Sequence, residues 1–310
     1  MSQPSTRPAP KLAYLGPVGT YSHQIAYDTF GDAVEYEACA SIADVFDAVG
    51  AAVPLALLPQ ENSIFGAVVE TADLLRAPAL GASVWICGAA VLGVQHCLLV
   101  RRGVPLARVE QVLSHEQALG QCRQFLAEHL PGAVTVKVAS TSAAAERVAS
   151  EPEGERSAAI CSAFCARVYK NLEVLHEGIQ NADVNHTRFY IACSTPTLPV
   201  PLKQSDEESP RCALIRMEVG PPFTADSSAT LNPSLTDLLA GLRFPPTRID
   251  RRPSLHHASL DYSTYLVEII DDGVRTRGSR RGCEEWAREV SEAVRRVNDA
   301  GGEARVLGYW

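Results

Sequence analysis

The sequence predicts an α/β protein in two parts: an alternating strand and helix domain over roughly the first two thirds, then a shorter domain ordered βαββαβ. Three observations carry this. From Lys11 to about Ala192, short apolar runs alternate with segments of helical period. From Thr195 to Pro210 a proline-rich stretch with a short acidic run (TPTLPVPLKQSDEESP) suits neither a helix nor a central strand. Beyond it the order of the elements changes. A chain of 310 residues also favours two domains, at roughly 150 residues each.

In chain order, residues 1–10 read as a polar, proline-rich disordered tail. Strands follow at Lys11 to Leu15, Leu55 to Leu58, Val109 to Leu113, Val134 to Val138 and Ala158 to Ile160, each leading through a small or polar residue into a helix candidate. The clearest helix runs from Ala118 to His129, with Ala118, Cys122, Phe125, Leu126 and His129 on one face. Gln121 shares that face and is therefore aimed inward. After a linker at 197–210, a strand is expected at Arg211 to Val219 and a short helix at Leu235 to Gly241. Strands at Thr247 to Ser254 and Tyr262 to Asp271 come next, then a helix at Gly282 to Asn298 and a last strand at Ala304 to Tyr309. The last helix carries the apolar stripe Trp286, Val290, Val294 and Val297. This order suggests a ferredoxin-like sandwich over 211–310, with 220–232 as an irregular insertion.

Composition narrows the function. With 46% hydrophobic and 21% charged residues the chain is of soluble globular type, and a net charge of −8 (28 basic against 36 acidic) leaves no electrostatic footprint for nucleic acid. The nine cysteines lack a C-x-x-C pair; Cys161 and Cys165 make a poor zinc or redox motif, so reduced thiols in a cytoplasmic protein are expected. No signal peptide or membrane span is expected, because no long apolar run occurs. His256-His257 reads as a solvated turn without a third ligand, and no metal site is expected.

Five junctions place small polar residues where a strand hands over to a helix: Gly16-Pro-Val-Gly-Thr20-Tyr-Ser22-His23, Glu61-Asn62-Ser63, Ser114-His115, Ser140-Thr141-Ser142 and Asn185-His-Thr187-Arg188-Phe189. Singly, each suits a helix N-cap. As a set they suggest a carboxylate pocket, since open α/β sheets bind ligands at the carboxyl ends of their strands and helix N-termini hold anions without a lysine.

The same segments, extended to Tyr14–Gln24, Leu58–Val68, Ser114–Cys122, Ser140–Ala144 and Asn185–Phe189, together resemble the prephenate dehydratase family, in that family's order. The end of the chain, through Thr247–Ser254 and Val306–Tyr309, resembles the ACT regulatory module. The resemblance implies a catalytic domain at 11–196 built of two α/β lobes similar to type II periplasmic binding proteins, with the chain crossing near Gly93 and returning after Phe189. It implies conversion of prephenate to phenylpyruvate, carbon dioxide and water, with no cofactor. Prephenate gains an aromatic ring on losing CO₂ and hydroxide, so an enzyme need only orient it and help hydroxide leave.

By family carry-over the hydrogen-bond donor to the leaving oxygen is Thr187, with Glu61 and His115 as relay candidates. Asn62, Ser114 and Gln121 match pocket positions, and neutral donors avoid locking the carboxylate that must be lost. Thr20, Ser22, Ser140 and Thr141 are expected to bind substrate. Arg188 either pairs with a substrate carboxylate or holds the Thr187 loop, and Glu61 is alternatively its structural partner. His23 and His186 read as orienting or exposed.

In relatives regulated by phenylalanine, P-G-A-L and E-S-R-P stretches bind the amino acid at a dimer interface. This chain carries Asn232-Pro-Ser-Leu235 and Asp250-Arg-Arg-Pro253 instead, which crowds the site. The effector residues implied are Ser234, Leu235, Asp250, Arg251, Arg252 and Pro253, with L-phenylalanine as effector and a homodimer or dimer of dimers as the assembly. Asn181 stands where an aspartate is more usual. Arogenate dehydration and, in a different class, a non-catalytic small-molecule sensor are the alternatives.

Overall fold

A computed structural model describes residues 8–152, 154–182, 184–203, 211–221, 233–256, 261–271 and 282–310. In chain order the elements are β1 (Lys11–Leu15), α1 (Tyr21–Phe30), β2 (Glu35–Cys39), α2 (Ile42–Asp47), β3 (Leu55–Asn62), β4 (Gly66–Ala67), α3 (Val69–Leu74) and β5 (Trp85–Gly93). Then come β6 (Cys97–Arg101), β7 (Gln111–Ser114), α4 (Glu116–Gln121), α5 (Arg123–His129), β8 (Val134–Lys137), α6 (Thr141–Ser150), β9 (Ser157–Cys161), α7 (Cys165–Val168), β10 (Leu172–His176) and β11 (His186–Cys193). The chain closes with β12 (Cys212–Val219), α8 (Leu235–Leu242), β13 (Pro246–Pro253), β14 (Ser263–Ile270), α9 (Cys283–Asp299) and β15 (Glu303–Tyr309).

The chain divides into two compact units. The first comprises residues 1–45, 57–68 and 90–189, and the second 46–56, 69–89 and 190–310. This division differs from the expected boundary at 197–210, of which residues 204–210 lie outside the described residues.

Within the first unit, β1 pairs in parallel with β2, and the sheet order there is β11-β3-β1-β2 with β4 on β3. A separate five-stranded sheet is ordered β10-β6-β9-β7-β8, with β7 parallel to both β8 and β9. Its inner strands β6 and β9 are apolar on both faces, and the two side-chain sets separate by strict alternation. Leu98, Val100, Ala158 and Ile160 pack with Ala118, Cys122 and Leu126, whereas Cys97, Leu99, Ala159 and Cys161 pack with Ala144, Ala145 and Val148. Cover on both faces explains why β9 reads as a continuous apolar run rather than an alternating one.

The expected helix from Ala118 to His129 is two helices broken at Cys122, where φ is −108° and ψ 15°. Asn181 fills the break. Its backbone N–H donates to the Gln121 carbonyl at 2.6 Å, and its side-chain Oδ1 accepts from the Gln124 N–H at 3.2 Å. Two groups that a continuous helix would use internally are thus satisfied from outside it. The strand expected from Val109 begins at Gln111, because Val109 closes a 3₁₀ turn over Leu106–Arg108.

In the second unit, residues 211–310 show the order βαββαβ, with strands arranged β13-β14-β12-β15 and each of these pairs antiparallel. Trp286, Val290, Val294 and Val297 of α9 are buried against this sheet with Ile215, Met217, Val267 and Ile269. Next to β15 lies β5, paired in parallel through Gly308 and Ile86; a Cβ at Gly308 would stand 1.9 Å from the Ile86 carbonyl oxygen, so only glycine permits this approach. Segment 69–89 is held to the same unit by polar contacts: Arg252 pairs with Asp73, Arg216 Nη1 donates to the Arg76 carbonyl at 2.8 Å, and Arg305 Nη2 donates to the Gly81 carbonyl at 2.7 Å. Most of the expected insertion, residues 222–232, lies outside the described residues.

Among the described residues no helix is long and apolar enough to cross a membrane. All nine cysteines are free thiols, five of them buried.

Candidate active site

Four strand ends in the first unit meet at a cavity of about 350 Å³. Leu15 closes β1, Asn62 closes β3, His115 follows β7, and Ala139, Ser140 and Thr141 follow β8; all of them line it. Tyr21 and Ser22, in the first turn of α1, and Thr187 and Phe189 of β11 complete much of the wall. Alternation along β11 puts Thr187 and Phe189 on the lining and leaves Arg188 off it. Among the described residues no lysine or arginine lines the cavity. The N-termini of α1 and α6 present backbone N–H groups instead, and such termini favour anions.

Asn62 is the hub of one side. Its Oδ1 accepts from the backbone N–H of Ile64 at 2.9 Å and of Phe65 at 3.1 Å, which closes the turn after β3 and fixes the orientation of the carboxamide. The Nδ2 group is thereby aimed across at β11, donating to Asn185 Oδ1 at 2.8 Å and to Thr187 Oγ1 at 2.9 Å. Ser63 reinforces the pairing: its N–H donates to the His186 carbonyl at 2.8 Å, and its Oγ accepts from the His186 N–H at 2.9 Å. Because Thr187 Oγ1 accepts from Asn62, its own proton is left to be given elsewhere, and accepting one hydrogen bond polarises the O–H for donating the next.

A second chain of hydrogen bonds stands at the other side. The Tyr21 hydroxyl lies 2.6 Å from His96 Nδ1, and His96 Nε2 lies 2.5 Å from Gln121 Oε1. His96 is 4% exposed, and this burial moves its pKa below the ordinary histidine value, against a smaller opposing effect of the Gln121 hydrogen bond. Enclosure of the Tyr21 hydroxyl holds its pKa well above the usual tyrosine value. Both rings are therefore neutral at neutral pH.

The residues singled out in the sequence fall into three groups. Thr187, Asn62, Gln121, Ser22, Ser140, Thr141 and His115 come together on the cavity wall. Ser140 also caps α6, accepting from the Ala143 N–H at 3.0 Å, whereas Thr20 lies off the lining, where it caps α1 and donates to the Leu15 carbonyl at 2.9 Å. Ser114 is placed differently from expectation: it is fully buried, donates to the Ile160 carbonyl at 2.6 Å and does not line the cavity. It ties β7 to β9, and the next residue, His115, takes the cavity position. Glu61 and Arg188 also lie off the lining. His23 stacks on Tyr14 with ring centroids 4.7 Å apart and accepts from the Gly19 N–H at 3.1 Å, an orienting place; His186 is exposed.

The effector residues expected in the second unit have partners of their own. Ser234 forms a capping box with Asp237 at the start of α8. Asp250 pairs with Arg248, Arg251 Nε donates to Ser263 Oγ at 2.8 Å, and Arg252 is held by Asp73. Asn232 and His257 lie outside the described residues, and His256 is exposed. Among the described residues no cluster of His, Cys, Asp or Glu is arranged to hold a metal ion.

Tyr21, His96 and Asn185 were not singled out as site residues from the sequence. Tyr21 and Asn185 sit inside the motifs, Tyr21 between Thr20 and Ser22 and Asn185 two residues before Thr187. His96 gave no signal, because its partners are far away along the chain.

These features define an α/β protein with a ligand cavity of neutral donors at the carboxyl ends of its strands. The model of the family described as "PDT: Prephenate dehydratase" matches residues 12–197, and the chain belongs to that family. It is 40% identical over 190 residues to the bifunctional chorismate mutase/prephenate dehydratase of Stutzerimonas stutzeri, covering 61% of this chain and 50% of that one. The chain spans about half the length of the curated relatives it matches. Among solved structures, the prephenate dehydratase of Arthrobacter aurescens in complex with L-Phe aligns with a TM-score of 0.69 at 24% identity, covering 96% of this chain and 89% of that one, a likeness of fold. GqqA, described as a novel type of quorum quenching acylase, aligns with a TM-score of 0.68 at 26% identity over 96% of this chain and 97% of that one.

Proposed function

We propose that the protein is a prephenate dehydratase, a hydro-lyase that converts prephenate to phenylpyruvate on the way to phenylalanine. The observation that carries this reading is the Asn62 to Thr187 hydrogen bond at 2.9 Å, which leaves a polarised threonine hydroxyl on the wall of a cavity that no lysine or arginine lines among the described residues. As the ring carboxylate leaves as CO₂, its bonding pair enters the ring, the C–O bond to the ring hydroxyl breaks, and the departing oxygen takes the Thr187 proton to become water. His115, which also lines the cavity, is the candidate to return a proton to Thr187. Glu61 is not assigned that step, because it lies off the lining. Backbone N–H groups at the starts of α1 and α6, with Ser22, Ser140 and Thr141, hold the carboxylates. A lysine there would bind the ring carboxylate more tightly in the ground state than in the transition state and slow its loss.

We further propose that residues 211–310 form an ACT-type regulatory module in a homodimeric cytoplasmic enzyme. The βαββαβ order supports this, as does a fold neighbour described in complex with L-Phe. The altered Asp250 to Pro253 stretch, with Arg252 engaged by Asp73, points to weak phenylalanine binding.

The test is turnover of prephenate to phenylpyruvate by the wild type and Thr187→Ala, with and without phenylalanine, and with arogenate as a parallel substrate. Thr187→Ala is expected to keep its fold and lose turnover by about 10²- to 10⁴-fold, the range for a lost general acid. A variant with near-normal turnover overturns the assignment. Turnover of arogenate alone moves the substrate to that analogue, and binding of either compound without product leaves a sensor.

A further inference from the structure

We propose that Tyr21 and His96 are positioning residues that orient the Gln121 carboxamide so that its NH₂ group, not its carbonyl, faces the cavity. The inference rests on the dehydratase reading of that cavity.

The argument is one of donor and acceptor bookkeeping along a buried chain. Gln121 Oε1 has no proton to give, so the 2.5 Å contact to His96 requires a proton on Nε2. A neutral imidazole then has an unprotonated Nδ1, which must accept. The group available to it is the Tyr21 hydroxyl at 2.6 Å, whose alternative acceptor, the Gln95 carbonyl, is farther off at 3.2 Å. The imidazole is itself fixed from its backbone, where the His96 N–H donates to Gln180 Oε1 at 2.9 Å and the His96 carbonyl accepts from the Ile179 N–H at 3.0 Å.

With its oxygen occupied, Gln121 has only its two N–H donors left for the cavity it lines, which suits a dianionic substrate. The opposite tautomer of His96 would reverse this. Its Nε2 would accept, the Gln121 amide would turn over, and a carbonyl oxygen would face the substrate carboxylates. Tyr21 decides between the two, because its proton is the one that keeps Nδ1 an acceptor.

The experiment combines ¹⁵N NMR of histidine-labelled protein with a double-mutant cycle on prephenate turnover. The wild type at neutral pH is expected to show His96 protonated at Nε2 alone. Tyr21→Phe removes the hydroxyl proton that Nδ1 accepts, so the Nδ1–H form is expected to grow. The variant should raise KM for prephenate by on the order of tenfold, the loss of one hydrogen bond to a charged group. In a Gln121→Ala background the same Tyr21 substitution should change KM by less than about twofold, since there is no amide left to orient. A purely structural Tyr21 would give additive effects, and additivity overturns the proposal, as does an Nδ1–H tautomer in the wild type. A folded wild type with the Nε2–H tautomer but no turnover of prephenate overturns the dehydratase reading and the role with it, while the hydrogen-bond chain itself stands.

Discussion

Residue-scale chemistry here depends on neutral groups whose orientation is set by the backbone. Asn62 was expected on the cavity from its motif, but what makes it useful is the turn that follows it: two N–H groups on its oxygen leave the amide nitrogen no direction except toward β11. His23 shows the same principle in a residue away from the chemistry. Its Nδ1 accepts from Gly19, and its ring lies between Tyr14 and Phe164, so protonation would set an N–H against an N–H within an apolar stack. Burial accordingly lowers the His23 pKa, as it does for His96. The unfolded chain therefore binds more protons between the folded and unfolded pKa values. Stability from these residues is complete above the unfolded histidine value of about 6.5 and is lost as pH falls through the lower folded value. Thermal unfolding followed from about pH 8 to pH 5 should show the midpoint dropping on the acid side. His23→Gln, which cannot titrate, should show a shallower drop, and an unchanged slope would refute the placement.

At the level of elements, local pattern and long-range contact contribute differently. Helix α9 was legible because its stripe of Trp286, Val290, Val294 and Val297 needs only a 3.6-residue period, and all four side chains are buried. Two of the small-polar junctions were legible for the same local reason: Thr20 and Ser140 each cap the helix that follows. The break between α4 and α5 was not, since the group that causes it lies 57 residues away from Gln124 along the chain. Ser114 misled for a related reason. Motif position placed it at the cavity, whereas the end of β7 turns its hydroxyl toward β9 and gives the next residue the cavity place. The break itself is open to test. Asn181→Ala removes the acceptor for the Gln124 N–H and should cost about 1 kcal/mol, as loss of a helix cap does. Asn181→Asp keeps the acceptor and adds a negative charge at the start of α5, so it should match or exceed the wild type by a few tenths of a kcal/mol in denaturant titrations. If the Ala variant is as stable as the wild type, the Asn181 side chain is not what holds the break.

For the whole chain, the proline-rich stretch after Thr195 marks a change of element order, and the βαββαβ order beyond it was legible from the sequence. What could not be read was that this segment shares its compact unit with residues 69–89. The contacts responsible are arginine side chains on backbone carbonyls and one carboxylate, and such contacts leave no periodic trace. They predict that a fragment of residues 197–310 is not self-sufficient. Without Arg76 and Ala77 the Arg216 guanidinium, on a residue only 9% exposed, loses its carbonyl acceptors at 2.8 and 3.3 Å. Arg252 loses Asp73, and β15 loses its pairing with β5 at Gly308. Hydrogen bonds to charged groups contribute about 1.5–3 kcal/mol each, and losing them is a large share of the stability of a domain this size. The fragment should therefore give a broad, low-temperature melt and poorly dispersed amide resonances. Gly308→Ala in the full chain provides a milder version, because its Cβ would collide with the Ile86 carbonyl and displace one strand from the other without removing any residue. That variant should melt below the wild type but above the fragment. A 197–310 fragment that melts cooperatively at the temperature of the full chain would show that the polar contacts to 69–89 are incidental and that the boundary read from the prolines separates two independent folding units.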